Sequence, residues 1–168
     1  MKVLETIKQR KSVRKFLDKP VTDEQIRLLL EAAMASPSGV NKQPWLFYVL
    51  KSEEMKNKLK DKLTRGKFDS PIIIIPCIDE SRTFPGEPHD LAFCDLGAVT
   101  ENILIEAVEL GLGSVWCAGW PLKERMDAIR EALSLDDTVI PYAMLYIGYE
   151  DGNVEPKDKF DETRIHII

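Results

Sequence analysis

The sequence has little of what usually builds a catalytic or metal site. Its three cysteines, Cys77, Cys94 and Cys117, lie far apart with no C-x-x-C pair. That excludes a disulfide frame and a zinc ribbon and leaves reduced, mostly buried thiols. Its two histidines, His89 and His166, stand isolated and suit surface or packing positions better than a general base. No H-E-x-x-H, G-x-S-x-G or Walker loop occurs, so hydrolase and metalloenzyme readings have no constellation behind them. No apolar run approaches membrane-spanning length and no signal-type apolar region opens the chain. A soluble, cytoplasmic protein is expected. The glycines of Gly111-Leu112-Gly113-Ser114 follow a helical pattern and precede a strand. A Rossmann loop needs the reverse order, so that pyrophosphate meets a helix N-terminus, and a dedicated dinucleotide fold is excluded.

What is present is one unusual run of charge. The 168 residues carry a net charge of −5, yet residues 1–19 hold seven Lys/Arg against Glu5 and Asp18, a balance of +5 that leaves −10 for the rest. Long nucleic acids and anionic membranes are poor partners for such a chain, and a small, locally held anion is a better match. The cations concentrate in Gln9-Arg10-Lys11-Ser12-Val13-Arg14-Lys15. Guanidinium forks and a hydroxyl suit a phosphate, although a basic run of this length is more often a solvated turn.

The rest of the chain reads as one domain over residues 1–168. Apolar residues suggest a short helix over 2–9. Thr22-x-x-Gln25 resembles a capping box opening a helix from Asp23 to about Ala35, with Ile26, Leu29, Leu30 and Ala33 on one face. Residues 36–44, rich in Pro, Ser, Gly and Asn, form a loop. Trp45–Leu50 follows as a strand, and Ser52 caps a charged helix through Leu63. Ile72–Ile75 marks a central strand buried on both faces. A long helix from about Leu91 to Leu110 lacks a clean polar face and ends at Gly111. Ser114–Cys117 is a short strand, Pro121 is placed to start a helix at its first position, and Val139–Tyr146 gives a last core strand. Ile165–Ile168 is a terminal β-type fragment with no obvious neighbour. Alternating strands and helices imply three layers, though the helix-heavy start and the orphan last strand fit a simple doubly wound sheet poorly.

Four segments, in order, resemble the flavin-dependent nitroreductase family. They are Gln9–Arg14, Ala35–Trp45, Asp95–Ala98 leading to Leu110–Ser114, and Pro156–Phe160. The resemblance spans nearly the whole chain. It implies an α+β fold, a three-layer α/β/α sandwich on a mixed, mostly antiparallel sheet, and a homodimer in which the tail strand is exchanged. It implies FMN in clefts at the dimer interface and NADH or NADPH as transient donor. Carried over by residue, Arg10, Lys11 and Ser12 hold the phosphate and ribityl side, and Arg14 approaches the N1/O2 edge of the ring. Pro37, Ser38, Gly39 and Asn41 reach the flavin of the other subunit. Trp116, Cys117, Ala118 and Gly119 lie along the ring, with the Gly119 N–H directed at N5. Lys157 and Lys159 complete the phosphate clamp, while Lys15 stays a surface cation.

The implied activity is ping-pong electron transfer from NAD(P)H to nitroaromatic or quinone-like acceptors, without a protein acid or base. A fixed cation at N1/O2 suits the charge left by reduction. Alternatives are a non-enzymatic FMN carrier or sensor, and a narrower relative that destroys flavin or dehalogenates. The chain departs from the family between Leu63 and Pro71, where contacts to the pyrimidine end often lie. Arg65 and Lys67 are the nearest substitutes there. Ala118 stands where several members have an acidic residue. Trp120 and the 79–90 loop are candidates for the pocket over the flavin.

Overall fold

The computed structural model describes residues 2–83 and 90–168. Five strands, β1 (Trp45–Leu50), β2 (Ile72–Asp79), β3 (Gly113–Ala118), β4 (Val139–Pro141) and β5 (Ala143–Gly148), make one sheet. Its order is β1-β2-β5-β3, with β4 also beside β2. Every pair of these strands is antiparallel, and a single parallel bridge between Ser12 and Ser114 makes the sheet mixed.

Five helices cover both faces: α1 (Val3–Gln9), α2 (Asp23–Met34), α3 (Glu53–Lys62), α4 (Asp90–Glu109) and α5 (Lys123–Leu133). Strand alternation divides the isoleucine run between them. Ile72, Ile74 and Ile78 join Leu29 of α2 and Leu96 and Ile103 of α4. Ile73, Ile75 and Cys77 join Leu59 of α3 and Ile129 of α5. The result is the three-layer α+β architecture expected from the sequence, with β2 buried on both sides and α4 as a central helix.

Local signals set most boundaries. The Thr22 hydroxyl accepts from the Gln25 N–H at 3.1 Å and the Gln25 side chain accepts from the Thr22 N–H at 3.0 Å, closing a capping box. Ser52 caps α3 by accepting from the Met55 N–H at 3.3 Å.

Three boundaries differ from expectation. The run 139–146 is two strands, because β4 and β5 pair with β2 in registers one residue apart, Cys77 opposite Pro141 and Ile74 opposite Leu145, and Pro76 has no N–H to complete the pair at Tyr142. Tyr142, between them, instead donates to the Pro76 carbonyl at 3.0 Å. Pro121 lies in the turn before α5, not at its first position; Leu122 donates to the Gly119 carbonyl at 2.8 Å and serves as the N-cap. Ile165–Ile168 forms no strand and pairs with nothing among the described residues.

The basic segment wraps around the end of the sheet. Val13 donates to the Ser114 carbonyl at 2.9 Å, Leu17 to Tyr149 at 2.9 Å, and Asp151 to Lys15 at 3.0 Å. Gly113 makes this crossing possible, since a Cβ there would come within 2.7 Å of the Val13 side chain. The sequence knot is therefore stitched to the edge of β3.

Candidate functional site

Two of the four clustered cations are answered within the chain itself. The Arg10 Nε lies 3.1 Å from Glu101 of α4, and the Lys11 Nζ lies 2.8 Å from Glu150. These pairings draw the two side chains apart. Arg10 borders a depression of about 440 Å³ together with Lys157 and Lys159. Neither lysine has an ion-pair partner among the described residues, so this depression keeps an excess of positive charge. Lys11 turns into a separate depression with Gln9, Val13, Ser114 and Glu150. The structure thus brings Arg10, Lys157 and Lys159 together from opposite ends of the chain and leaves Lys11 outside that group.

Hydrogen-bond phase decides what β3 can offer. In an antiparallel pair, successive residues turn their N–H and C=O groups alternately toward the partner and away from it. The Gly119 N–H donates to the Tyr142 carbonyl at 2.9 Å, which fixes Gly113, Val115, Cys117 and Gly119 as the residues facing β5. Ser114, Trp116 and Ala118 then face the other way. The Ser114 carbonyl accordingly accepts from Val13, and the Ala118 carbonyl accepts from Arg125 Nη1 at 2.9 Å.

No strand lies beyond Ser114 along this edge among the described residues, so the N–H groups of Trp116 and Ala118 point outward, unpaired. This corrects the expected donor. The Gly119 N–H is consumed inside the fold, and the open N–H of the segment belongs to Ala118, one residue earlier. Gly119 has its own structural reason to be glycine, because a Cβ would meet the Tyr142 carbonyl oxygen at 3.0 Å and Ile129 at 3.2 Å.

Around this open edge the side chains divide by face. Cys117 is buried, and burial pushes its thiol up while the charges of Arg125 and Arg14 oppose that rise. The Arg125 guanidinium stands on the edge itself, at the Ala118 carbonyl, and the Arg14 charge acts on the same thiol. Neither has a carboxylate partner among the described residues; Arg14 makes only a long bond, 3.4 Å, to the Ser12 carbonyl. On the opposite face Trp116, 37% exposed, leans on Tyr142 with ring centroids 5.8 Å apart. Trp120 stacks on Phe93 of α4 at 4.0 Å and 17°. His89 and the rest of residues 84–89, half of the loop expected to border this pocket, lie outside the described residues.

The second polar segment sits elsewhere. Residues 36–44 fold against α4, where the Gly39 N–H donates to Asp95 Oδ1 at 3.1 Å. The Gln43 N–H donates to Ser38 Oγ at 3.0 Å, and Asn41 Oδ1 accepts from the Gln43 amide at 3.2 Å. Val40, Asn41 and Gln43 all hold positive φ, at 48°, 54° and 50°, which non-glycine residues adopt rarely. Burial pushes the Asp95 carboxyl up, opposed by the Gly39 N–H. No hydrogen bond or ion pair among the described residues joins Pro37, Ser38, Gly39 or Asn41 to Arg10 or Arg14.

Sequence reasoning passed over Arg125, Glu101, Glu150 and the tether role of Asp95. Only Asp95 lay inside a motif, and nothing local marks the others. Of the substitutes considered between Leu63 and Pro71, Lys67 turns back to the Lys60 carbonyl at 3.2 Å, and Arg65 is exposed.

Known proteins match this architecture closely. The model of the Nitroreductase family matches residues 7–73 and 65–149. A protein of Methanothermobacter thermautotrophicus named "Putative NADH dehydrogenase/NAD(P)H nitroreductase" is 39% identical over 99% of this chain and 87% of its own length. A solved structure of the same name from Parabacteroides distasonis superposes with a TM-score of 0.92 at 32% identity, covering 99% of this chain and 98% of that one. An FMN-dependent nitroreductase from Clostridium difficile R20291 superposes with a TM-score of 0.87 at 25% identity, covering 98% of each chain. The chain belongs to the nitroreductase family.

Proposed function

We propose that the chain is an FMN-dependent oxidoreductase that takes electrons from NADH or NADPH and passes them to nitroaromatic or quinone-like acceptors. The observation that carries this reading is the open edge of β3. There the unpaired N–H groups of Trp116 and Ala118 lie beside the Arg125 guanidinium, and neither Arg125 nor Arg14 has a carboxylate partner among the described residues. Outward N–H donors beside fixed cations suit a flat ring that must accept negative charge. Bound FMN supplies the hydride chemistry, accepting electrons from one substrate and releasing them to the next in ping-pong turns.

The chain's own residues bind and orient that group. Arg10, Lys157 and Lys159 hold its phosphate with their shared excess of positive charge. Ser12, tied beside Ser114, serves the ribityl side, and Lys11 joins only by leaving Glu150. Arg14 stabilises charge at the N1/O2 edge. The Ala118 N–H takes the place at N5 first expected of Gly119, with Trp116 and Cys117 lining the strand beneath the ring. Trp120, stacked on Phe93, offers an aromatic surface for the acceptor.

The same reading makes the protein a homodimer. Pro37, Ser38, Gly39 and Asn41, bonded to neither Arg10 nor Arg14 among the described residues, would reach the partner's flavin. The loop carries Val40 at 83% exposure, and the tail carries Ile167 at 96%. Exposed apolar groups of this kind suit burial against a second copy, with the tail exchanged.

One experiment tests the core of this reading. The purified protein is expected to be yellow, or to take up added FMN, and to oxidise NADH or NADPH when a nitroaromatic or quinone is present. A colourless protein that ignores added FMN overturns it. FMN binding without stimulated NAD(P)H oxidation marks a carrier instead. Turnover confined to halogenated phenols or to the flavin itself marks a narrower enzyme.

A further inference from the structure

We propose that Arg125 is a flavin-binding residue: its guanidinium and the Ala118 N–H form a two-donor site for the N5–C4=O edge of the ring. The inference rests on the FMN reading above and supplies, from α5, a polar contact that the 63–71 segment does not provide.

The geometry follows from one residue. On a strand, the N–H and C=O of a given residue point to the same side. Arg125 Nη1 donates to the Ala118 carbonyl at 2.9 Å, so the guanidinium sits on the open edge beside the unpaired Ala118 N–H. A guanidinium presents a rigid fan of donors, and this is the single hydrogen bond the Arg125 side chain makes among the described residues.

Its surroundings hold it there without neutralising it. Gly66, at φ +73°, backs the group so closely that a Cβ would stand 3.1 Å from Nη2. The adjacent Glu124 carboxylate is taken up by the Thr64 hydroxyl at 2.8 Å. Arg125 is half-buried and has no carboxylate partner among the described residues, so its charge is left for a ligand. The charge also acts on the neighbouring Cys117 thiol.

Two donors side by side on a strand edge call for two adjacent acceptors on one planar group. A ring nitrogen next to a carbonyl oxygen meets that demand, and the flavin N5 and C4=O form such a pair. The site recognises the ring, in contrast to Arg10, Lys157 and Lys159, which recognise the phosphate.

That contrast supplies the test. FMN and riboflavin binding are measured by quenching of flavin fluorescence for the wild type, Arg125→Ala, Arg125→Gln and Arg10→Ala, with folding followed by circular dichroism. Arg125→Ala is expected to weaken both ligands by the same factor, about tenfold to a hundredfold, the range for a charged hydrogen bond. Arg10→Ala is expected to weaken FMN and leave riboflavin unchanged. Bound flavin in Arg125→Ala is also expected to show a displaced visible absorption maximum. Arg125→Gln keeps a donor for the Ala118 carbonyl, so it separates tethering of the strand from binding of the ring and stands in if the alanine variant does not fold. Wild-type riboflavin affinity in folded Arg125→Gln overturns the proposal alone. A wild-type protein that binds neither flavin overturns the FMN reading and this inference with it.

Discussion

β2 and β3 are both short apolar strands, yet they meet opposite fates in the sheet. β2 has β1 along one edge and β4 and β5 along the other, and Ile72–Ile78 are buried. Among the described residues, β3 has β5 along one edge only, and the basic segment touches the other edge only at Ser114. The ladder of β2 is complete, so its backbone has nothing left for a ligand. The ladder of β3 stops halfway, and the donors it leaves open lie beside Arg125. The same strand chemistry gives stability where pairing is complete and leaves donors free for a ligand where it is not.

The largest expected effect lies in the complete strand. Ile74 is 0% exposed and packs among Leu29, Leu96 and Ile103. Ile74→Ala should cost about 2–5 kcal/mol of stability through lost burial and the cavity left behind. Urea unfolding would measure this, and the FMN affinity of the folded fraction should stay unchanged. A clear loss of FMN affinity without a stability change would erase the distinction between the two strands.

A sharper test compares two neighbours on β3. Ala118→Pro removes an N–H that faces no strand, and proline is tolerated on such an edge. The protein should remain folded, while FMN binding weakens by about 1.5–3 kcal/mol if that N–H serves the ring. Cys117→Pro removes an N–H that faces β5 and should lower the melting temperature. If Ala118→Pro binds FMN like the wild type, the open edge is not where the ring lies.

The fold was legible wherever the cause was local. The Thr22–Gln25 box, the Ser52 cap, the β-branched run at 72–75 and the glycine at 111 act within a few residues of the boundaries they set. The site was legible as a set of segments and less so as geometry. Which N–H of Trp116–Gly119 stays open depends on the pairing phase with β5, fixed by Tyr142 more than twenty residues away. The carboxylates that divide Arg10 from Lys11 arrive from α4 and from the end of β5, and no spacing in the sequence announces them. Arg125 is one of several charged residues on an amphipathic helix, and only the Ala118 carbonyl and Gly66 single it out.

The smallest expected effect compares one thiol on each strand. Burial pushes Cys77 of β2 up to about 12, opposed by a hydrogen bond from the Tyr142 backbone and by the Arg130 charge. Cys117 of β3 is also raised by burial, but Arg125 and Arg14 pull against that rise. Cys94 is exposed and should alkylate first, followed by Cys117 and last by Cys77, as read by mass spectrometry across an alkaline pH series. Because the folded Cys77 thiol titrates above its unfolded value, its contribution to stability is complete below about pH 9 and is lost as the pH rises toward about 12. Arg125→Gln withdraws a charge that favours the Cys117 thiolate, so alkylation of Cys117 at a fixed alkaline pH should slow while that of Cys77 holds. Equal rates for Cys77 and Cys117 in the wild type would mean that the Arg125 and Arg14 charges do not act on β3, and the contrast between a closed and an open strand would lose its electrostatic half.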